Sequence, residues 1–578
     1  MKHPTRPLSI VISLLMLAAL LAGCSTGPAA TTAPAAGTGT ATVAPTEAAP
    51  SAEPTKAPPI AFTAYTTANI TNTPEWGKDP VSAKILEATG ITLTIEYALD
   101  DSDTKLGLLL TSGDFPDLLL SVNNNTVAQY SEANALVALD DYIDQYGANI
   151  KHIFGDKIGA MRSENDGKIY GFNREYGALS ADSLVNMQVQ IALLKEFNYP
   201  KINYLSELTS LMEQYIAKYP KYNGQDTVGL LSPASGWVFN ICFNNAALRS
   251  AGYQDDGNYY IDPATMQASL GITTESSKKY LAWVNDLYRK GLFDLESFNL
   301  DMTTANEKLS SGRVLAISAP TWFTGEGETA LRNANLADRG YAKLPLFIDE
   351  AAKNNSRLHY YDPYGSWKSV ITTNCKDPVR AFQFFDTMWS EEMQVLCNWG
   401  IEGVNYMVDA QGKRVMNEKD LKDVTSSEFY RQNTGVNLYN YWSCGSFVKD
   451  STGQYINPFQ IPENLRAGYT DAEKEALAAY SSDAVVWRDL SPAAAVSDWG
   501  YAWKLTLPTD SEGAIAEKKV QDEIRAAAVY NLVTAKSAEE FETQWTAFVK
   551  ACQDAGIGKR EAEITDALKT RMELWYKK

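Results

Sequence analysis

The sequence predicts a mixed α/β body built in at least two lobes. Three observations carry this. Beyond an N-terminal leader and a low-complexity stretch, about 520 residues remain, more than one hydrophobic core usually serves. Within them, short apolar or alternating runs are followed by amphipathic helical runs. No later apolar run is long enough to span a bilayer.

The leader comes first. Lys2 and Arg6 precede an apolar run from Leu8 to Gly23, which is the pattern of a secretory signal over residues 1–23. It closes on Leu21-Ala22-Gly23-Cys24, which resembles the bacterial lipobox. There the chain is cut before the cysteine and the thiol carries a diacylglyceryl group. Residues 24–59 are almost entirely Ala, Thr, Pro, Gly and Ser, with only Glu47, Glu53 and Lys56 charged. Such a stretch cannot bury enough apolar surface to fold and reads as a tether. The folded body then spans 60–578.

Its elements follow in order. Ile91–Tyr97 alternates apolar and polar residues, a strand pattern. Thr104–Thr111 is helical, with Leu106, Leu109 and Leu110 on one side. Ser112-Gly113-Asp114 breaks it, and Asp117–Val122 reads as a buried strand. The run Asn123-Asn124-Asn125 follows the carboxyl end of that strand, where open α/β sheets place ligand contacts; a helix-capping turn is the alternative. Further helices are expected over Ala138–Tyr146, Leu205–Tyr219, Ser277–Lys290, Pro378–Trp389, Ala538–Ala551 and Glu561–Trp575. Asp166–Phe172 reads as a turn and a short strand, and Val314–Ile317 as an apolar strand.

Composition removes several chemistries. The formal charge is −19, which argues against nucleic acid as a partner. No CxxC, no Cys/His cluster with zinc spacing, no GxSxG elbow and no GxxxxGK loop occurs, so neither a metal nor a cofactor is expected. Cys375 and Cys397 could pair in an oxidising compartment; buried free thiols are the other reading, which extends to Cys242, Cys444 and Cys552. Acidic pairs such as Asp140-Asp141 are plentiful in so acidic a chain and give a glycosidase no support.

Six motifs then occur in order. Thr111-Ser112-Gly113-Asp114-Phe115-Pro116-Asp117-Leu118 resembles the S-G-D-x-P-D-[IL] signature of extracellular solute-binding proteins of ABC importers. Ala138–Ile143, Asp166–Gly171, Lys290–Phe298, Ser311–Val314 and Asn398–Tyr406 resemble further motifs of that family's large Gram-positive lipoprotein branch. The resemblance implies a two-lobed, periplasmic-binding-protein-like (type II) α/β fold with an interlobe cleft and helical C-terminal additions. Lobe 1 would hold residues 60–175 and a returning segment near 320–375, and lobe 2 the remainder. It also implies a monomer on the extracellular face of the membrane, held through Cys24, that binds a solute without breaking a bond and delivers it to permease subunits. Two departures stand out. The family's W-x-R-x-D-W is absent around Val189–Lys195, and Tyr222–Thr227 supplies too few carboxylates for the calcium loop of some members.

Thirteen Trp and 31 Tyr suggest an oligosaccharide ligand, because flat aromatic faces stack on sugar rings. Trp237, Trp322, Tyr364, Trp367, Trp442 and Trp499 lie in turn-like contexts and are the candidate stackers, each with a place in the core as the alternative. Asn123, Asn124, Arg174 and Glu175 are the polar candidates. A peptide-binding relative would share the anchor and lobes and differ only in the cleft; a secreted polysaccharide-active enzyme is the more distant alternative.

Overall fold

The computed structural model describes residues 58–576 apart from 69–72, 99–101, 175, 180–186, 358–360, 418, 422, 424–427, 443–447, 459–460 and 492–495. The expected leader, the expected tether up to residue 57, Cys24, Glu175 and Cys444 therefore lie outside the described residues.

Nine strands form the two main sheets of the described residues: β1 (Ile60–Thr66), β2 (Ile91–Tyr97), β3 (Leu118–Val122), β4 (Gly171–Arg174), β5 (Gln188–Gln190), β6 (Val228–Leu231), β7 (Val314–Ile317), β8 (Tyr341–Lys343) and β9 (Ser366–Ile371). The first sheet has the order β2-β1-β3-β9-β4, with β1 parallel to β2 and β3 and with β9 antiparallel to β3 and β4. The second has the order β8-β5-β7-β6, with β6 and β7 parallel and β5 antiparallel to β7 and β8.

Strands β3 and β7, inside the two sheets, are buried on both faces because a packed core covers each side. In β3, Leu118 and Leu120 enter one core and Leu119 the core on the other face, as a period of two requires; past Ser121, whose φ is +60°, Val122 joins Leu119. The first of these cores takes Phe382 and Phe385 from the Pro378–Met388 helix and Trp389 from its C-cap; Asp377 caps the start by accepting from the Arg380 amide. The second sheet packs on Tyr280, Leu281 and Val284 of the Glu275–Arg289 helix. The closing helices join the same core through Phe541, Trp545, Ile564 and Leu568.

The lobes are discontinuous, and the returning segment is redrawn. Phe323, Leu331, Leu344 and Ala352 lie in the cores of the second sheet, so the stretch from 320 to 352 is not part of lobe 1. The chain re-enters the first sheet at β9 and contributes to its core as far as Ile456. Two of the crossing segments pair with each other: Ala178–Leu179 lies antiparallel to Tyr361–Asp362. Cys242, Cys375, Cys397 and Cys552 are buried free thiols, so Cys375 and Cys397 are not bridged. No helix of the described residues is long and apolar enough to cross a membrane.

Candidate functional site

The carboxyl ends of β3, β6 and β7 carry the polar and aromatic groups of interest. At the end of β3 the backbone turns sharply, with Ser121 at φ +60°. Asn123 then caps the Asn124–Glu132 helix, its Oδ1 accepting from the Thr126 amide at 2.8 Å. Its side-chain carbonyl is thus occupied by the fold. Asn124 donates its amide to the carbonyl of Lys504, in a segment from the far end of the chain.

Trp237 follows β6 on the turn Ser235-Gly236, and Trp322 opens the Thr321–Asn333 helix that follows β7. Their rings lie nearly parallel, 12° apart with centroids 6.3 Å apart. They remain 56% and 58% exposed. A sugar ring sandwiched between them would need carbon contacts of about 3.5–4.0 Å on each side, more than this separation allows. The pair therefore presents an open aromatic surface and not a slot. Exposed tryptophans this close together mark a binding surface more often than chance exposure does.

The Trp322 helix is fixed from beneath. Lys343 on β8 is buried between Glu328 of that helix (3.1 Å) and Glu473 (3.4 Å). Thr324 donates to Glu328 at 3.1 Å, and Gln188 on β5 donates to Thr324 Oγ1 at 3.0 Å. Burial and the neighbouring Glu473 raise the carboxyl of Glu328, while the Lys343 ammonium opposes that rise.

A strap over residues 497–506 touches both lobes. On the second lobe, Asp256 accepts from the Ala502 amide at 2.6 Å, and Gln254 donates to the Gly500 carbonyl at 2.9 Å. On the first, Glu164 accepts from the Thr506 amide at 2.9 Å and from Arg571 Nε at 2.6 Å. The Lys504 ammonium reaches Asp362 and the Gly365 carbonyl, so the strap also grips one crossing segment. Burial pushes the Asp256 carboxyl up to about 7, against the Ala502 and Gln254 hydrogen bonds that favour its charged form. Burial likewise brings the Lys368 ammonium on β9 down to about 8.

Trp503 projects from this strap, 44% exposed and stacked on Tyr501 at 5.9 Å. It abuts Gly257, where a Cβ would come within 2.8 Å of the Trp503 Cβ, and Asn244 of the second lobe donates to the Gly257 carbonyl at 2.7 Å. In sequence Trp503 stands with Trp499 around Gly500-Tyr501 as a candidate stacker, and of the two Trp499 is preferred. Register along the strap separates them, and only the fold supplies that register. Trp367 is the third exposed indole among the candidates, at 37%. It sits at φ +57° in the irregularity between Ser366 and Lys368, which turns it out of the β4–β9 ladder. Gly365 beside it has φ +65°, and a Cβ there would fall 2.7 Å from the Arg174 carbonyl, so only glycine fits. Arg174 ends β4 opposite Ser366.

The remaining aromatic candidates lie in cores. Trp442 is 1% exposed and edge-on to Phe384 at 5.3 Å. Trp499 is buried in the second core. Tyr364 is buried against Trp575, with ring centroids 4.3 Å apart. Burial leaves these three no free face for a solute. Among the described residues no group of three or more His, Cys, Asp and Glu could hold a metal ion. In the hairpin over Lys221–Asp226, Lys221 Nζ lies 2.8 Å from the Asp226 carboxylate.

Known proteins match this architecture. The chain matches the bacterial extracellular solute-binding protein family over residues 81–399. Lipoprotein LipO of Bacillus subtilis (strain 168) is 22% identical over 344 residues, which make up 57% of this chain and 64% of LipO. The ABC-transporter substrate-binding protein FusA of Streptococcus pneumoniae, solved with kestose, superposes with a TM-score of 0.62 at 17% identity, over 88% of this chain and 99% of FusA. An HMO-binding, ABC-transporter-associated solute-binding protein of Bifidobacterium longum infantis superposes with a TM-score of 0.64 at 12% identity, over 90% of this chain and all of that one, 100%. The two solved structures share the two-lobed fold. With more than half of its length matched, the chain belongs to the bacterial extracellular solute-binding protein family.

Proposed function

We propose that the protein is the solute-binding subunit of an ABC importer and that its solute is an oligosaccharide held between the lobes. The parallel, exposed Trp237–Trp322 pair at the carboxyl ends of β6 and β7 carries this reading. Each indole can bury about 150–250 Å² of surface against the C–H face of a sugar, worth several kcal/mol with little ordering cost because the rings are already fixed. On this reading Trp367 and Trp503 would add further ring faces, and Asn124 and Arg174 polar groups. Kestose bound to FusA and the HMO-binding relative from Bifidobacterium favour the same solute class. A solute touching both lobes favours the closed arrangement by its differential affinity, and that form would be presented to the permease. Cys24 would carry the lipid that keeps the body at the membrane surface.

Calorimetric titration of the purified chain with neutral tri- to pentasaccharides and with peptides tests the reading. A specific oligosaccharide should bind, and W237A and W322A should each weaken it about tenfold or more. Binding of peptides alone, or sugar affinity unchanged in both variants, would overturn it.

A further inference from the structure

A cavity of about 430 Å³ opens on the second lobe, lined in part by Tyr215, Tyr219, Tyr222, Lys221, Asp338 and Arg339. Thr227, which also lines it, immediately precedes β6, so the cavity sits at the amino end of that strand. Trp237 and Trp322 follow the carboxyl ends of β6 and β7, so the cavity lies at the other end of the sheet.

The cations around it are mostly matched. Lys195 pairs with Glu475 at 2.9 Å and Lys221 with Asp226 at 2.8 Å, while Glu196 is held by Lys218 and by the Tyr219 hydroxyl at 3.1 Å. Arg339 differs. Its Nη1 donates to Gln190 Oε1 at 3.1 Å and to the Tyr215 hydroxyl at 3.2 Å, and its guanidinium lies 4.0 Å over the Tyr222 ring. Among the described residues its Nε and Nη2 have no acceptor, and no carboxylate lies within ion-pairing distance. The fork is therefore held at one nitrogen and across its plane, and the Nε–Nη2 edge is the edge that takes a carboxylate through two parallel hydrogen bonds. Tyr219 leaves 38% of its surface exposed in the same lining. The exposed Asp338 carboxylate nearby disfavours a small free anion. It favours a ligand whose charge is placed by a larger body.

We infer that this cavity is a second binding site, which takes a uronate unit of an acidic oligosaccharide. The uronate carboxylate is bound on the Nε–Nη2 edge of Arg339, and the sugar ring lies against Tyr219. The inference does not rest on the cleft reading.

The test uses the full chain carrying W237A and W322A, titrated calorimetrically with trigalacturonate, with the matching neutral trisaccharide and with inorganic phosphate. Trigalacturonate should bind and the other two should bind at least about tenfold more weakly. R339K, which keeps the charge and loses the fork, should cost about tenfold or more. Should R339K fail to fold, Y219A at the exposed ring carries the same test. The site is overturned by absent trigalacturonate binding, by unchanged trigalacturonate affinity in R339K, or by neutral sugar or phosphate binding as tightly as trigalacturonate and weakening equally in R339K. Failure of the cleft reading is told apart by the same variant, as neutral-sugar binding that survives loss of both indoles and that R339K leaves unchanged.

Discussion

Trp442 lies edge-on to Phe384 in the first core at 1% exposure, while Trp322 leaves 58% of its surface in solvent on top of a pinned helix. Removing the first opens a cavity; removing the second does not. Trp442→Ala should cost about 3–5 kcal/mol in urea denaturation, whereas Trp322→Ala should stay within about 0.5 kcal/mol and act on ligand affinity alone. Equal losses of stability would contradict the two placements. Sequence favoured Trp237 and Trp322 over Trp442 as stackers without showing which of the three is buried. Trp237, Trp322 and Trp442 all stand beside turn residues, and the local string carries the turn but not what packs over it. Asn123 shows the same limit. Its position after a buried strand was legible, but its side-chain carbonyl is taken by the Thr126 amide.

At the scale of elements, periodicity is local and the agreement is close. Ile91–Tyr97 forms a strand with the expected bounds, and the expected helix over Leu205–Tyr219 runs from Leu205 to Lys218. The strap over 497–506 left no such trace, because it has no regular period and is held by side chains from both lobes. Its anchor, Asp256, predicts a pH dependence. Its folded pKa, about 7, lies above the ordinary 3.8, so the native state binds more protons than the unfolded chain between those values. The group's contribution to stability is therefore constant below about pH 4, falls as pH rises toward 7, and levels off above it. Melting temperatures measured across that window should decline, and Asp256→Asn should flatten the decline. An unchanged slope in the variant would remove Asp256 as its source.

For the whole molecule, the two lobes and the helical C-terminal additions were legible from length, alternation and the ordered motifs. The lobe boundary was not. Which sheet receives a strand is decided by pairing across hundreds of residues, so Leu331 and Leu344 fill the second lobe's cores although the return was expected to begin near 320. The proposed anchor and the proposed site belong to separate parts of the chain, since every candidate contact lies well after Cys24. Cys24→Ala should therefore move the protein from the membrane fraction to the medium with its sugar affinity unchanged. Lost affinity in a folded, soluble variant would show the two to be coupled.

The parallel indoles of Trp237 and Trp322 have one more consequence, which is optical. Two chromophores 6.3 Å apart and 12° from parallel share their excitations. A ligand that shifts either ring alters that coupling and the ultraviolet circular dichroism it produces. The protein thus carries a built-in spectroscopic reporter, able to register occupancy without a label attached to either partner.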